Sequence, residues 1–127
     1  MSHLRGGVKM KAEIIIDGIL VKLEGVEKEG ILTVTARLKN ISVEKKVLTF
    51  PNSGKLKSML KTKEPFHHYY QNVEESFMYA QSLRKHSLEI QEQMKETFTF
   101  KKIKEVEKEE LIVFLRYGGH TLRMRIN

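Results

Sequence analysis

The stretch Ile31-Leu-Thr-Val-Thr-Ala-Arg-Leu-Lys-Asn40 alternates without a break. Leu32, Val34, Ala36 and Leu38 fall on one side, and Thr33, Thr35, Arg37 and Lys39 on the other. A period of two sends these sets to opposite faces of a β-strand, because successive Cβ atoms point opposite ways. The segment therefore predicts a strand whose sheet has one face in a core and one in water.

The same reading extends outward. Ile14 to Leu23 reads as a first strand with Gly18 as a bulge or bend, and the polar run Glu24 to Gly30 as a turn. After a turn at Asn40 to Glu44, the residues Val47, Leu48 and Phe50 form a strand that stops at Pro51. Pro51-Asn52-Ser53-Gly54 has turn chemistry, since Pro presets φ while Asn and Gly tolerate positive φ. Leu56 to Leu60 is a short strand. Further on, Thr97-Phe98-Thr99-Phe100 alternates, Lys101 to Glu110 is a charged connection, and Leu111 to Tyr117 is a near-continuous apolar strand. Gly118-Gly119 signals a hairpin. His120 to Ile126 returns with Leu122, Met124 and Ile126 inward and Thr121, Arg123 and Arg125 outward.

Val73 to Glu96 admits two readings. Its composition suits a helix, and Phe77, Ala80 and Leu83 fit a helical stripe. The stripe then fails at Ser87 and Gln91, whereas Leu88 and Ile90 alternate. That pattern favours two strands, near Phe77 to Leu83 and His86 to Gln91, turning at Arg84-Lys85. The sum is eight or nine short antiparallel strands, and the expected fold is an all-β sandwich.

Length and composition bound the rest. A chain of 127 residues is one ordinary domain, read as a flexible lead over 1–11, broken by Gly6-Gly7, and a sandwich over 12–127. The longest apolar stretch, Ile14 to Val21, carries Asp17 and is far below the ~20 residues of a membrane span. Met1 to Lys11 lacks the apolar stretch of a secretory signal. A cytoplasmic protein without a membrane segment is expected. Zero cysteines exclude disulfides, a thiolate nucleophile and cysteine-ligated metals.

Catalytic constellations are also poor. Ser53 lacks the flanks of a nucleophile elbow. Glu74-Glu75 and Glu109-Glu110 sit in charged segments that would not raise a carboxyl pKa. His67-His68 on a strand would point to opposite faces and share a metal poorly. No Gly-rich phosphate loop is present. The expectation is a non-enzyme without metal or cofactor.

One resemblance adds to this reading. Val34-Thr-Ala-Arg-Leu-Lys-Asn40 leads through Val47-Leu-Thr-Phe50 into Asn52-Ser-Gly54. Ser76-Phe-Met-Tyr-Ala-Gln-Ser-Leu83 then precedes Leu88-Glu-Ile90 and Lys95-Glu-Thr-Phe98. This order resembles the bacterial intracellular proteinase inhibitor family, BsuPI-like, over about Leu32 to Phe100. The resemblance implies an immunoglobulin-like sandwich and a protein partner, with a serine protease as the candidate. The chain departs from the family pattern in having no tryptophan, and no reactive residue carries over. Exposed loops for such a contact would be Pro51 to Gly54, Lys61 to Asn72 and Lys101 to Glu110.

The alternative function comes from charge. The formal net charge is +7, and Arg37 to Lys63 holds eight basic residues against one acid, Glu44. A single-stranded nucleic-acid binder needs cations along a groove and aromatic faces for stacking. Arg37, Lys39, Lys45, Lys46, Lys55 and Lys57 would supply the first, and Phe66, Tyr69 and Tyr70 the second. The structural counter-reading makes the lysines a solvated strand face that discourages edge pairing, with Phe66 packed inside.

Overall fold

The computed structural model describes residues 8–51, 60–73, 83–107, 110–117 and 119–126. Among the described residues, ten strands and one short helix follow the chain: β1 (Val8–Ile16), β2 (Ile19–Lys28), β3 (Ile31–Asn40), β4 (Lys46–Pro51), β5 (Leu60–Thr62), α1 (Phe66–Tyr69), β6 (Tyr70–Asn72), β7 (Leu83–Leu88), β8 (Gln93–Lys102), β9 (Leu111–Tyr117) and β10 (His120–Ile126). All pairings are antiparallel. One sheet has the order β1-β2-β3-β8-β6, a second β10-β9-β5, and β4 and β7 form a two-stranded ladder.

This order carries the fold assignment. An immunoglobulin-like sandwich sets strands A, B, E and D in one sheet and G, F and C in the other. Here β2, β3, β8 and β6 occupy the first set of places, and β10, β9 and β5 the second. β1 extends the larger sheet beyond the A position. The β4–β7 ladder joins the excursion between β3 and β5 to the one between β6 and β8.

The core lies between the layers. Ile19, Val21 and Leu23 of β2, Leu32, Val34, Ala36 and Leu38 of β3, and Phe98 and Phe100 of β8 are buried from one side. Leu111, Val113 and Leu115 of β9, with Leu122, Met124 and Ile126 of β10, meet them in the same cluster. Leu60, Leu48 and Leu88 bring β5, β4 and β7 onto it. Gly25 opens the β2 strand to this packing: a Cβ there would lie 2.7 Å from the Met124 Cε.

Several boundaries differ from the sequence reading, each for a local reason. Ile14 to Leu23 is two strands, because Asp17 and Gly18 have φ of 49° and 77° and close a two-residue hairpin. Positive φ at both central residues matches the right-handed twist of the flanking strands, and Asp-Gly tolerates it. Glu24 to Gly30 is mostly strand, and only Glu29-Gly30 turns, again with positive φ at both positions. Val8 to Lys11, assigned to the lead, pair in register with Glu27 to Glu24.

Arg84-Lys85 is not a turn; both lie inside β7, opposite Phe50 and Thr49. The chain reverses at 89–92 instead, where the Glu92 N–H donates to the Glu89 carbonyl at 2.9 Å and Gln91 has φ of 70°. The expected strand near Phe77 to Leu83 falls outside the described residues except for Leu83, as do the Asn52 to Gly54 turn and the start of the Leu56 to Leu60 strand. His120 to Ile126 has the inward and outward sets expected of it. Among the described residues, no helix is long and apolar enough to cross a membrane.

Candidate functional site

Register converts the alternation of each strand into rows across the outer face of the five-stranded sheet. Glu13, Lys22, Arg37 and Lys95 stand directly opposite one another in sequence across β1, β2, β3 and β8. The next row toward the Glu29-Gly30 end is Lys11, Glu24, Thr35 and Thr97, and the one after it Lys9, Val26, Thr33 and Thr99. Lys28, Ile31, Lys101 and Gln71 follow on β2, β3, β8 and β6. Ile15, Leu20, Lys39 and Gln93 form the row at the opposite end. All these side chains are half-buried or exposed, while most of their neighbours along each strand pack into the core, the half-buried Glu27, Glu96 and Lys102 excepted.

Among the described residues, the face thus carries eight cations, Lys9, Lys11, Lys22, Lys28, Arg37, Lys39, Lys95 and Lys101, and two carboxylates, Glu13 and Glu24. Its excess of six positive charges nearly equals the +7 of the whole chain. Arg37 pairs with the Glu24 carboxylate. Among the described residues, the seven lysines of the face make no ion pair. Four threonines, Thr33, Thr35, Thr97 and Thr99, make an uncharged floor between them. None of these rows contains an aromatic ring.

The contiguous basic segment of the sequence is divided by the fold. Arg37 and Lys39 join this face, but Lys45 and Lys46 lie at the start of β4, where they are locally neutralised. Lys45 lies 3.7 Å from Glu89, and Lys46 lies 3.5 Å from Asp17 and 3.6 Å from Glu44. Lys55 and Lys57 fall outside the described residues. The other six lysines of the face were missed because they come from β1, β2 and β8. Their alternation, Lys9-Lys11-Glu13 and Lys95-Thr97-Thr99-Lys101, was the available signal, and it becomes a surface only once strand order is known.

Phe66, Tyr69 and Tyr70, the candidate aromatic contacts, are all buried. Phe66 stacks on Tyr70 with ring centroids 4.8 Å apart and meets Phe100 edge-on at 5.1 Å. The Tyr70 hydroxyl donates to the Glu27 carboxylate, which also lies 2.5 Å from the Lys102 Nζ. Burial, reinforced by Glu27, pushes the Tyr70 phenol well above its ordinary pKa of 10.0. Of the loops considered for protein contact, 61–72 contains β5, α1 and β6, and its aromatics face inward. Lys63, Glu64, His67, His68 and Gln71 are exposed in it, with the His67 Nε2 2.6 Å from the Thr62 hydroxyl. Among the described residues, no three His, Asp or Glu side chains converge as a metal site.

No family model, curated protein or solved structure matches this chain.

Proposed function

We propose that the chain is a non-enzymatic binding module that docks an acidic protein partner on the outer face of its five-stranded sheet. The observation that carries this reading is the ratio of eight cations to two carboxylates on one uncovered face. Such a face attracts an anionic surface at long range and orients it on encounter. Its threonine floor offers hydroxyls at close range without a charge of its own. The resemblance to intracellular proteinase inhibitors makes a serine protease with an acidic surface the first partner to test. A cytoplasmic setting belongs to the same proposal.

A single-stranded nucleic acid fits less well. Stacking on aromatic side chains supplies much of that class of affinity, and the three candidate rings are in the core. The test is a salt series of binding to polyglutamate, to a single-stranded oligonucleotide and to a panel of serine proteases. The proposal expects polyglutamate and at least one protease to bind, weakening as salt rises. Binding of the oligonucleotide alone would replace the protein partner by nucleic acid.

A further inference from the structure

We infer that Lys22, Arg37 and Lys39 form a site for one phosphomonoester group carried on a side chain of the protein partner. The inference rests on the acidic-partner reading and specifies which acid that partner bears.

Three cations in one cross-strand row are the first observation. Lys22 is directly opposite Arg37, and Arg37 directly opposite Lys95. Like charges so placed destabilise a sheet, and relief within the chain is partial. Glu13 stands opposite Lys22 and Glu24 pairs with Arg37, while Lys39 and Lys95 make no ion pair among the described residues. A bound anion would remove the remaining repulsion.

Shape is the second observation. A shallow cavity of about 240 Å³ opens over Lys22 and Arg37 of this row and the residues beside them, lined by Leu20, Lys22, Glu24, Arg37, Lys39 and Gln93. Ordinary small-molecule pockets run from roughly 300 to 1,000 Å³, so this one suits a single side-chain group. Its lining holds three cations and one carboxylate, an excess of two positive charges. A phosphomonoester carries about −1.5 to −2 at neutral pH and matches that excess. A carboxylate or a phosphodiester, with one negative charge each, leaves it half neutralised. Arg37 has five N–H donors, so its pairing with Glu24 leaves donors for a phosphate oxygen.

The test is a titration of the full chain with phosphoserine, glutamate and dimethyl phosphate at matched ionic strength, read by amide chemical shifts. Saturable shifts centred on residues 20–24, 37–39 and 93–95 are expected with phosphoserine, at about tenfold lower concentration than with the two monoanions. Lys22→Gln should weaken phosphoserine about tenfold while leaving thermal stability nearly unchanged, since it removes the repulsion from Arg37 together with the attraction to Glu13. Equal affinity for all three probes, or an unchanged Lys22→Gln variant, would overturn the site. Binding of polyglutamate without phosphoserine would overturn this inference and leave the acidic-partner reading standing. Binding of neither would overturn both.

Discussion

The Asn40 Nδ2 donates to the Leu88 carbonyl at 2.9 Å, tying the end of β3 to the end of β7. Asn40 is the one polar side chain fully buried among the described residues. Its second Nδ2 hydrogen reaches the Glu44 carbonyl, and its Oδ1 accepts from the Ser42 N–H and hydroxyl. Its backbone exchanges bonds with Glu92 and Gln91. One residue therefore ties together the loop after β3, the last residue of β7 and the turn into β8. An unsatisfied buried polar group costs about 1–3 kcal/mol, which sets the scale of its contribution.

Asn40→Ala should destabilise the fold by about 2–3 kcal/mol, because it orphans the Leu88 carbonyl. Asn40→Asp should be at least as damaging at neutral pH. It keeps the acceptor but removes both donors and sets a charge against two carbonyls. Urea midpoints of the two variants check this; an Asp variant as stable as the parent would contradict it.

Gly18 and Gly30 both have positive φ, 77° and 79°, but their surroundings differ. A Cβ on Gly18 would lie 2.8 Å from the Ser42 Cβ, whereas one on Gly30 meets nothing within 4 Å. Left-handed backbone costs a non-glycine residue about 1–2 kcal/mol. Gly30→Ala should cost about that much, and Gly18→Ala measurably more. Equal losses would show that Ser42 yields freely.

Gly25 and Met124 should be coupled. Gly25→Ala needs only a small shift of the flexible Met124 terminus, 2.7 Å from the new Cβ, and should be nearly neutral. Gly25→Val overfills the seam between β2 and β10 and should cost about 1–3 kcal/mol. The pair Gly25→Val with Met124→Ala should lose less than the sum of the single changes, the mark of direct contact in a double-mutant cycle. Additive losses would place the strain elsewhere.

Alkaline pH should unfold the protein through Tyr70. Its phenol is held neutral in the fold by burial and by Glu27, so its folded pKa exceeds its unfolded value. Below the unfolded value near 10 both states keep the proton and the contribution is complete. As pH rises past that value the unfolded state ionises first, and stability falls. Tyr70→Phe should be less stable at pH 8 but lose stability less steeply between pH 9 and 11, with Tyr117 adding a residual slope of the same sign. Thermal melts across that range provide the check; equal slopes in both proteins would contradict it.

The legible parts of this fold are those with unbroken alternation, such as Leu32 to Leu38 and Leu122 to Ile126. The first hairpin was hidden because apolar residues run on both sides of Asp17-Gly18, so the strand pattern continues across the turn. Phe66 and Tyr69 are spaced i and i+3 on one face of the short helix α1, and Tyr70 opens β6 beside them. Adjacent His67 and His68 masked that spacing by suggesting a strand. The basic face was least legible, because a cross-strand row such as Lys22, Arg37 and Lys95 joins residues far apart in the chain. A window count grouped Arg37 with Lys45 and Lys46, which the fold pairs with Asp17, Glu44 and Glu89.

That contrast supplies the most direct measurement. A face variant, Lys22→Glu with Lys95→Glu, and a loop variant, Lys45→Glu with Lys46→Glu, each change the net charge equally. Binding of both to immobilised polyglutamate would be compared with the parent at low and at physiological salt. The face variant should lose at least about tenfold in affinity, and the loop variant should keep most of it. A loop variant that loses as much as the face variant would show that only net charge matters, and would contradict docking on the sheet.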